Sequence, residues 1–163
     1  MASSDALQWA FDVPGQLANG DVVRGPYADA AGSPIHPADF AALAVAALRD
    51  YRHAGHRYHV TGPISMTHRE QIALIGRAHG RDLRYEELDP VAARAAISPY
   101  APADLLFATW EQHLTEPAPV TDVISRVTGR RPARPRSGLR HIRCDVKAAV
   151  VAPTARCQHP NLR

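Results

Sequence analysis

The sequence has very little lysine, and its glycines are scattered. Lys147 is the single lysine among 163 residues, and the residue four positions before it is Arg143, so a Tyr-x-x-x-Lys pair for proton donation does not occur. No two glycines are separated by a single residue, which excludes the G-x-G-x-x-G turn that cradles a dinucleotide pyrophosphate. A P-loop is also absent from the sequence. The sequence therefore predicts neither a phosphate-binding turn nor a Tyr-Lys couple.

Cysteine is scarce as well, and the histidines do not form a metal motif. Cys144 and Cys157 are the two cysteines, and their spacing fits no common zinc finger. His53, His56 and His59 lie close together, but no carboxylate stands beside them at ligand spacing. The favoured interpretation of the three histidines is an exposed polar turn, and we predict no metal site.

Hydrophobic residues make up 45% of the sequence, as in globular proteins, but they never form a long run. A membrane span needs about 20 consecutive apolar residues, and no stretch approaches that length. The first residues do not show the basic and then apolar pattern of a signal peptide. We therefore expect a cytoplasmic protein with no membrane partner, of a size that suits one domain.

Charge is distributed unevenly along the chain. Residues 1–125 carry nine arginines against fifteen Asp and Glu, a net charge of −6. Residues 126–163 carry ten basic residues against Asp145 alone, a net charge of +9, so that the whole chain has +3. From Arg130 onward the sequence is rich in Arg and Pro and has no periodicity, which predicts a disordered tail over residues 130–163. Nucleic-acid binding is expected only as a non-specific property of Arg130–Arg143.

The pattern of the remaining residues predicts a mixed chain of short strands and helices. Strands are predicted at residues 21–26, 58–61 and 82–88, where β-forming residues end at Gly-Pro or Asp-Pro. Helices are predicted at residues 5–18, 37–48, 67–79, 89–97, 103–114 and 120–127. Thr67 and Glu70 form a capping box, and Gly80 is the expected stop of the same helix.

The helix after Pro37 and the strand Tyr58–Thr61 form the unit around which the chain is organised. Pro37 suits a first helical turn, and Asp39 favours its positive end. Apolar residues follow at helical spacing and predict one buried face, made of Phe40, Leu43, Ala44, Ala47 and Leu48.

Four segments, in this order, carry a resemblance to a known family. They are residues 25–44 (Gly-Pro-Tyr-Ala-Asp-Ala-Ala-Gly-Ser-Pro-Ile-His-Pro-Ala-Asp-Phe-Ala-Ala-Leu-Ala), 54–63 (Ala-Gly-His-Arg-Tyr-His-Val-Thr-Gly-Pro), 67–72 (Thr-His-Arg-Glu-Gln-Ile) and 120–129 (Val-Thr-Asp-Val-Ile-Ser-Arg-Val-Thr-Gly). Together they resemble the C-terminal half of the NmrA-like branch of the atypical short-chain dehydrogenase/reductase superfamily, over residues 5–132. Members of that branch are NAD(P)H-dependent reductases, epimerase-like enzymes or redox-sensing regulators.

The resemblance implies an α/β fold that is the C-terminal portion of a Rossmann-like NAD(P)-binding domain. Residues 1–129 would form this part and residues 130–163 the tail. Ala38–Leu48 would be the helix that feeds a late parallel strand at Tyr58–Thr61. Tyr27 and His36 would lie on loops that face the substrate cleft. For His36, a helix-capping role or a backbone hydrogen bond is favoured over an acid or base role.

Two functions from different classes follow from these observations. In the first, the chain is a truncated or split NmrA-like NAD(P)-binding protein, which has no catalytic or cofactor-binding residues alone and needs an N-terminal Rossmann half encoded separately. NAD(P)(H) is then the cofactor of the complete protein. Because a parallel strand needs cover on both faces, this hypothesis predicts an exposed apolar face and low stability. The alternative is a small interaction module whose basic tail binds a protein partner or nucleic acid.

Overall fold

The computed structural model describes Leu7 and residues 10–134. The predicted disorder of the tail beyond Arg134 and the two cysteines lie outside the described residues. Within them, the chain is a mixture of short helices and short strands, as predicted. None of the helices in this part of the chain has both the length and the apolarity that a bilayer crossing requires.

The helical part of the described chain comprises six α-helices and one turn of 3₁₀-helix. The α-helices are α1 Val13–Asn19, α2 Pro37–Arg49, α3 His68–His79, α4 Pro90–Ala96, α5 Ala103–Gln112 and α6 Val123–Thr128. The 3₁₀ turn covers Tyr51–His53. Four strands were assigned: β1 Val22–Gly25, β2 Ala31–Gly32, β3 Met66–Thr67 and β4 Arg84–Glu87.

The strands form two separate pairs. β1 and β4 are parallel, with Val22 opposite Arg84 and Gly25 opposite Glu87. β2 and β3 are antiparallel, with Ala31 opposite Thr67. The parallel pair confirms the strands predicted at residues 21–26 and 82–88. Helix α3, which lies between β1 and β4 in the sequence, packs against β4. Parallel strands need a crossover, and the chain between β1 and β4 supplies it.

The core lies where α3, α5 and β1 meet. Phe107 of α5 is fully buried and belongs to the same cluster of buried residues as Val23 of β1 and Ile72 and Ile75 of α3. Leu7 belongs to the same cluster. Around the core, the start of α3 is tied to the loop after β1, since the N–H of His68 donates to the carbonyl of Ala30 over 3.1 Å.

Local capping signals were read correctly from the sequence. At the start of α3, the N–H of Glu70 donates to Thr67 Oγ1 at 3.2 Å and the N–H of Thr67 donates to Glu70 Oε2 at 2.8 Å. This is the predicted capping box. Gly80 ends α3 with φ 66°, the left-handed conformation that glycine adopts without strain.

α2 begins at the predicted residue and ends one residue later than predicted, but its burial differs from the prediction. Leu43 is buried, whereas Phe40 is 45% exposed and Leu48 is 88% exposed. α2 packs mainly on α6. The expectation of a buried face was therefore wrong for Phe40, Leu48 and the exposed Ala44. Helical periodicity shows which residues share a face but not whether another element covers that face.

The predicted strand Tyr58–Thr61 is also wrong as a strand. The residues have no strand assignment, and no described strand lies beside them to form a ladder. Thr121 holds the segment instead: its N–H donates to Thr61 Oγ1 at 2.8 Å and its hydroxyl donates to the carbonyl of His59 at 2.9 Å. β-forming residues alone do not make a strand, because the backbone groups need a partner strand.

Gly62 gives a prediction about the stability of this region. Its N–H donates to the carbonyl of Ser33 at 2.9 Å, and a Cβ at this position would overlap the backbone carbonyl of Pro34. Backbone cannot rotate out of the way as a flexible side chain can. We therefore expect Gly62→Ala to lower the free energy of unfolding by about 2–3 kcal/mol, measured by urea denaturation.

The matched control for this prediction is Gly20→Ala. No atom lies within 4 Å of a Cβ built at Gly20, so this variant should stay within about 0.5 kcal/mol of the wild type. Equal urea midpoints for the two variants would contradict the close packing of the backbones at Gly62 and Pro34.

Candidate functional site

A cleft of about 230 Å³ lies between α3 and α5. Its other walls are residues 31–33, which include β2, the segment at residues 59–61 and the segment Ala118-Pro119. Because these pieces are far apart in sequence, only the folded chain assembles the cleft. We take it as the candidate functional site.

Hydrogen bonds fix the loops that frame the cleft. The N–H of Ala31 donates to the carbonyl of His113 at 2.9 Å, which ties β2 to the end of α5. The hydroxyl of Ser33 donates to the carbonyl of Ala118 at 3.4 Å, and the N–H of Ala118 donates to Ser65 Oγ at 3.0 Å. These three hydrogen bonds therefore fix the segments that line the cleft.

His68 is a buried histidine that lines the cleft from the first turn of α3. Its Nδ1 donates to the carbonyl of Pro26 at 3.2 Å, and its ring stands edge-on to that of Trp110, with 5.4 Å between the centroids. Burial lowers the pKa of His68 to about 4, although the bonds to backbone carbonyls act against this. At neutral pH the ring is therefore uncharged.

The carbonyl of Pro26 also accepts a bond from Tyr85. The Tyr85 hydroxyl donates to it at 2.8 Å, and burial raises the pKa of this phenol, with the Glu87 carboxylate adding to the effect. The carbonyl thus receives two donors, one from α3 and one from β4. This contact holds His68 in a single orientation beside the cleft.

Gln71 and His113 each leave a polar atom without a partner. Gln71 is 5% exposed and lines the cleft one turn after His68, and its Nε2 donates to the carbonyl of Met66 at 3.3 Å. Its Oε1 is buried and has no hydrogen-bond partner among the described residues. Nδ1 of His113, at the end of α5, is also buried and unpartnered there. Buried polar atoms of this kind are uncommon and call for an explanation.

The cleft has no formal charge at neutral pH from carboxylate, lysine or arginine side chains. None of its described lining residues is Asp, Glu, Lys or Arg. Leu106 and Trp110 supply apolar wall, and Thr109 has its hydroxyl satisfied by the carbonyl of Leu105 at 2.7 Å. Such a site suits an uncharged molecule with few polar groups.

Tyr27, one of the two residues predicted to face a substrate, lies outside this lining. It has φ 48°, a left-handed conformation that is unusual for a residue with a large side chain. Its hydroxyl donates to the Glu111 carboxylate, and its ring stands edge-on to Phe107 with 5.7 Å between centroids. Burial, together with Glu111, raises the pKa of Tyr27 to about 12, so it remains a protonated donor at neutral pH.

His36, the other predicted residue, caps α2. Its Nδ1 accepts from the N–H of Ala38 at 3.0 Å, in agreement with the capping role favoured from the sequence. Neither His36 nor Tyr27 lines the cleft, and the structure does not bring the two together there. Their substrate-side role stays a prediction.

Sequence reasoning missed His68, Gln71 and His113. A signal existed for His68, which stands four residues before Ile72 and so belongs to the apolar stripe of α3. The capping box placed the helix start correctly and could have identified this histidine as inward-facing. No comparable signal existed for His113, whose position depends on the fold of the loop at Ala31.

Two of the three neighbouring histidines that follow α2, His53 and His56, have local partners. Nδ1 of His53 lies 2.7 Å from the Tyr58 hydroxyl, and the ring of His56 stacks on that of Tyr58 with 6.1 Å between centroids. Within the described residues, no group of three His, Cys, Asp or Glu side chains is arranged to hold a metal ion.

The starts of α2, α3 and α4 do not suit a dinucleotide pyrophosphate. Such a group needs free N–H donors on a glycine-rich turn. At the starts of α2, α3 and α4, one N–H group of the first turn already donates a hydrogen bond to a side chain. The accepting side chains are those of His36, Thr67 and Asp89. All three starts also carry a carboxylate, from Asp39, Glu70 and Asp89, which repels phosphate. These three starts therefore do not offer a pyrophosphate site.

Comparison with known proteins identifies reductases. The chain is 43% identical over 136 residues to a (4-alkanoyl-5-oxo-2,5-dihydrofuran-3-yl)methyl phosphate reductase of Streptomyces griseus subsp. griseus, a match covering 81% of this chain and 46% of that one. It is 36% identical over 105 residues to an NAD(P)H azoreductase of Xenophilus azovorans, covering 61% and 36%. No known family profile matches the sequence.

The fold matches part of a larger solved structure. The structure of an NADPH-dependent quinone oxidoreductase from Escherichia coli superposes with a TM-score of 0.65 at 18% identity, covering 86% of this chain and 52% of that one. This confirms the α/β, Rossmann-like NAD(P)-binding fold class. The chain spans about half the length of these proteins, or less.

Proposed function

We propose that this chain is the C-terminal, substrate-side half of an NmrA-like NAD(P)-dependent reductase, and that it neither binds the dinucleotide nor catalyses alone. The observation that carries the proposal is the exposed apolar face of α2, on a chain that aligns with 46% of a reductase at 43% identity. A domain that lacks half of its partners leaves such a face uncovered.

The exposed face is large enough to matter energetically. Phe40, Val45 and Leu48 are all exposed on α2, and Val45 lines a shallow groove together with the small side chains of Ala38 and Ala42. Burial of the three large side chains would contribute roughly 4–9 kcal/mol before ordering costs. Contact of this surface with a helix or sheet of the missing half would therefore be more favourable than its exposure to water.

The segment that follows α2 supports the same interface. Residues 58–61 were predicted to be a parallel strand, and in the described part of the chain no strand pairs with them. A strand from the missing half would supply the ladder hydrogen bonds that these residues lack. We therefore place the interface with the missing half along α2 and residues 58–61.

The proposal divides the work between two halves. Residues 1–129 form the substrate-side part, and the basic tail at residues 130–163 is outside the reductase pattern. The missing half, on a longer chain or on a separately encoded one, would hold NAD(P)(H), which supplies hydride when bound. This chain would contribute the cleft between α3 and α5 and the protonated phenol of Tyr27.

The experiment is complementation by a reductase half. The segment of the Streptomyces griseus reductase that this chain does not match is joined in front of residue 1, and NADPH binding is measured by the fluorescence of the reduced nicotinamide. We expect the chimera to bind NADPH at least about 100-fold more tightly than the 163-residue chain alone, because the fold is then complete.

A pair of matched variants tests whether α2 forms this interface. Leu48→Asp places a charge on the exposed face of α2, and Val91→Asp places one at an exposed apolar residue of α4. We expect the first to weaken NADPH binding by the chimera at least tenfold and the second to leave it unchanged. Tight NADPH binding by the chain alone, or equal effects of the two variants, would refute the proposal.

A further inference from the structure

We propose that the cleft between α3 and α5 binds a small, uncharged ring compound that carries a hydroxyl group. The proposal goes beyond the reductase assignment, because it concerns ligand binding by this chain and needs no dinucleotide. It is carried by the unpartnered atoms, the charge and the size of the cleft.

The unpartnered atoms point to a polar group in the ligand. Gln71 Oε1 and His113 Nδ1 are buried and lack hydrogen-bond partners among the described residues, and both residues line this cleft. An unsatisfied buried group is costly, and the cost is removed when a bound molecule supplies the missing partner. Two such atoms in one cleft favour a bound group over chance.

A hydroxyl group matches both atoms. The amide oxygen of Gln71 can only accept a hydrogen bond, so its partner has to be a donor. The imidazole nitrogen of His113 accepts or donates according to its tautomer. A hydroxyl does both, whereas a carbonyl oxygen cannot serve Gln71.

The absence of lysine, arginine and carboxylate side chains from the described lining disfavours acidic ligands. The described lining has no Lys or Arg to pair with a carboxylate or phosphate, and the Gln71 oxygen would repel either one. It also has no Asp or Glu to hold an ammonium group. Neutral compounds are therefore favoured over ions of both signs.

The size and the walls favour a ring. An apolar cavity of about 150 Å³ is enough to bind benzene, and this cleft measures about 230 Å³. The indole of Trp110 and the side chains of Leu106 and Leu7 form apolar wall, which buries the faces of a ring. The remaining volume accommodates a hydroxyl substituent.

The test compares three probes of the same ring size on the 163-residue chain. Phenol has the ring and the donor, toluene has the ring alone, and benzoate has the ring and a negative charge. We expect phenol to bind about tenfold more tightly than toluene in an NMR titration, since one hydrogen bond to a buried acceptor is worth about this factor. Benzoate should bind least. Phenol should also shift the ring ¹⁵N signal of His113.

Three variants locate the effect within the cleft. Gln71→Met and His113→Phe remove the unpartnered atoms and should reduce the preference for phenol over toluene to about onefold. Thr109→Val is the matched control, because it removes a hydroxyl in the same cleft that is already bonded to Leu105. This control should retain the preference.

Several results would overturn the inference. Equal binding of phenol and toluene would mean that the cleft is merely apolar. Absence of binding by a chain with a native near-ultraviolet circular dichroism spectrum would mean that water serves the two atoms. A chain without that spectrum lacks the preformed cleft and would overturn the inference as well. Because no nicotinamide is present, none of these results depends on the reductase proposal.

Discussion

Replacing Phe107 by alanine is expected to lower the free energy of unfolding by about 3–5 kcal/mol. Phe107 is fully buried at the centre of the core. Its ring lies 5.7 Å from that of Tyr27 and 5.5 Å from that of Trp110, and the Arg94 guanidinium carbon stands 4.4 Å from its centroid. The substitution removes all three contacts at once and leaves a cavity that such a short chain cannot readily refill.

The control for this prediction lies two residues earlier on the same helix. Leu105 is 51% exposed, so Leu105→Ala changes helix α5 without opening a cavity in the core. We expect it to cost under about 1 kcal/mol in urea denaturation. Similar losses for the two variants would show that α5 does not present the face described here. Such a result would also contradict the position of Phe107 at the centre of the core.

Local signals in the sequence were sufficient to place most helices. The pair Thr67 and Glu70 marked the start of α3, because both partners of a capping box are within four residues of each other. Pro37 and Gly80 marked a start and a stop for the same reason. Such features depend on a few neighbouring residues, and the structure confirms them without change.

Burial and strand pairing could not be predicted in this way. The apolar pattern of α2 is real, but nothing in residues 37–49 shows that Phe40 and Leu48 face water. Tyr58–Thr61 has the residue types of a strand but no neighbour among the described strands. Both errors arise because the missing information is in other segments, which the proposed second half would supply.

In the candidate site, too, local contacts could be predicted from the sequence and contacts between distant segments could not. His36 caps a helix, as its place before Pro37 predicts, since that contact is local. The cleft unites Ala31, His68 and His113, which come from three distant parts of the chain. Only the pairing of β2 with β3 and the packing of α5 bring them together. A resemblance to a family gave the fold class, but it did not identify these residues.

Acidification is expected to destabilise the chain through His68. The folded-state pKa of about 4 lies below the value of 6.5 for an unperturbed histidine. As the pH falls below 6.5, the unfolded chain binds a proton that the folded chain does not. The contribution is fully present above about pH 6.5 and is lost as the pH falls towards 4. The shift of the His68 pKa from 6.5 to about 4 corresponds to a loss of about 3 kcal/mol in the free energy of unfolding.

The measurement is the free energy of unfolding of the wild type and of His68→Leu at several values between pH 4 and pH 7.5. Carboxylates that titrate in this range act on both proteins, so the difference between the two isolates His68. We expect the wild type to lose about 3 kcal/mol more than the variant, and His56→Gln, at an exposed histidine, to follow the wild type. Parallel curves for wild type and His68→Leu would show that His68 is protonated as easily in the fold as in the unfolded chain. In that case the buried, neutral wall that His68 gives the cleft would not exist.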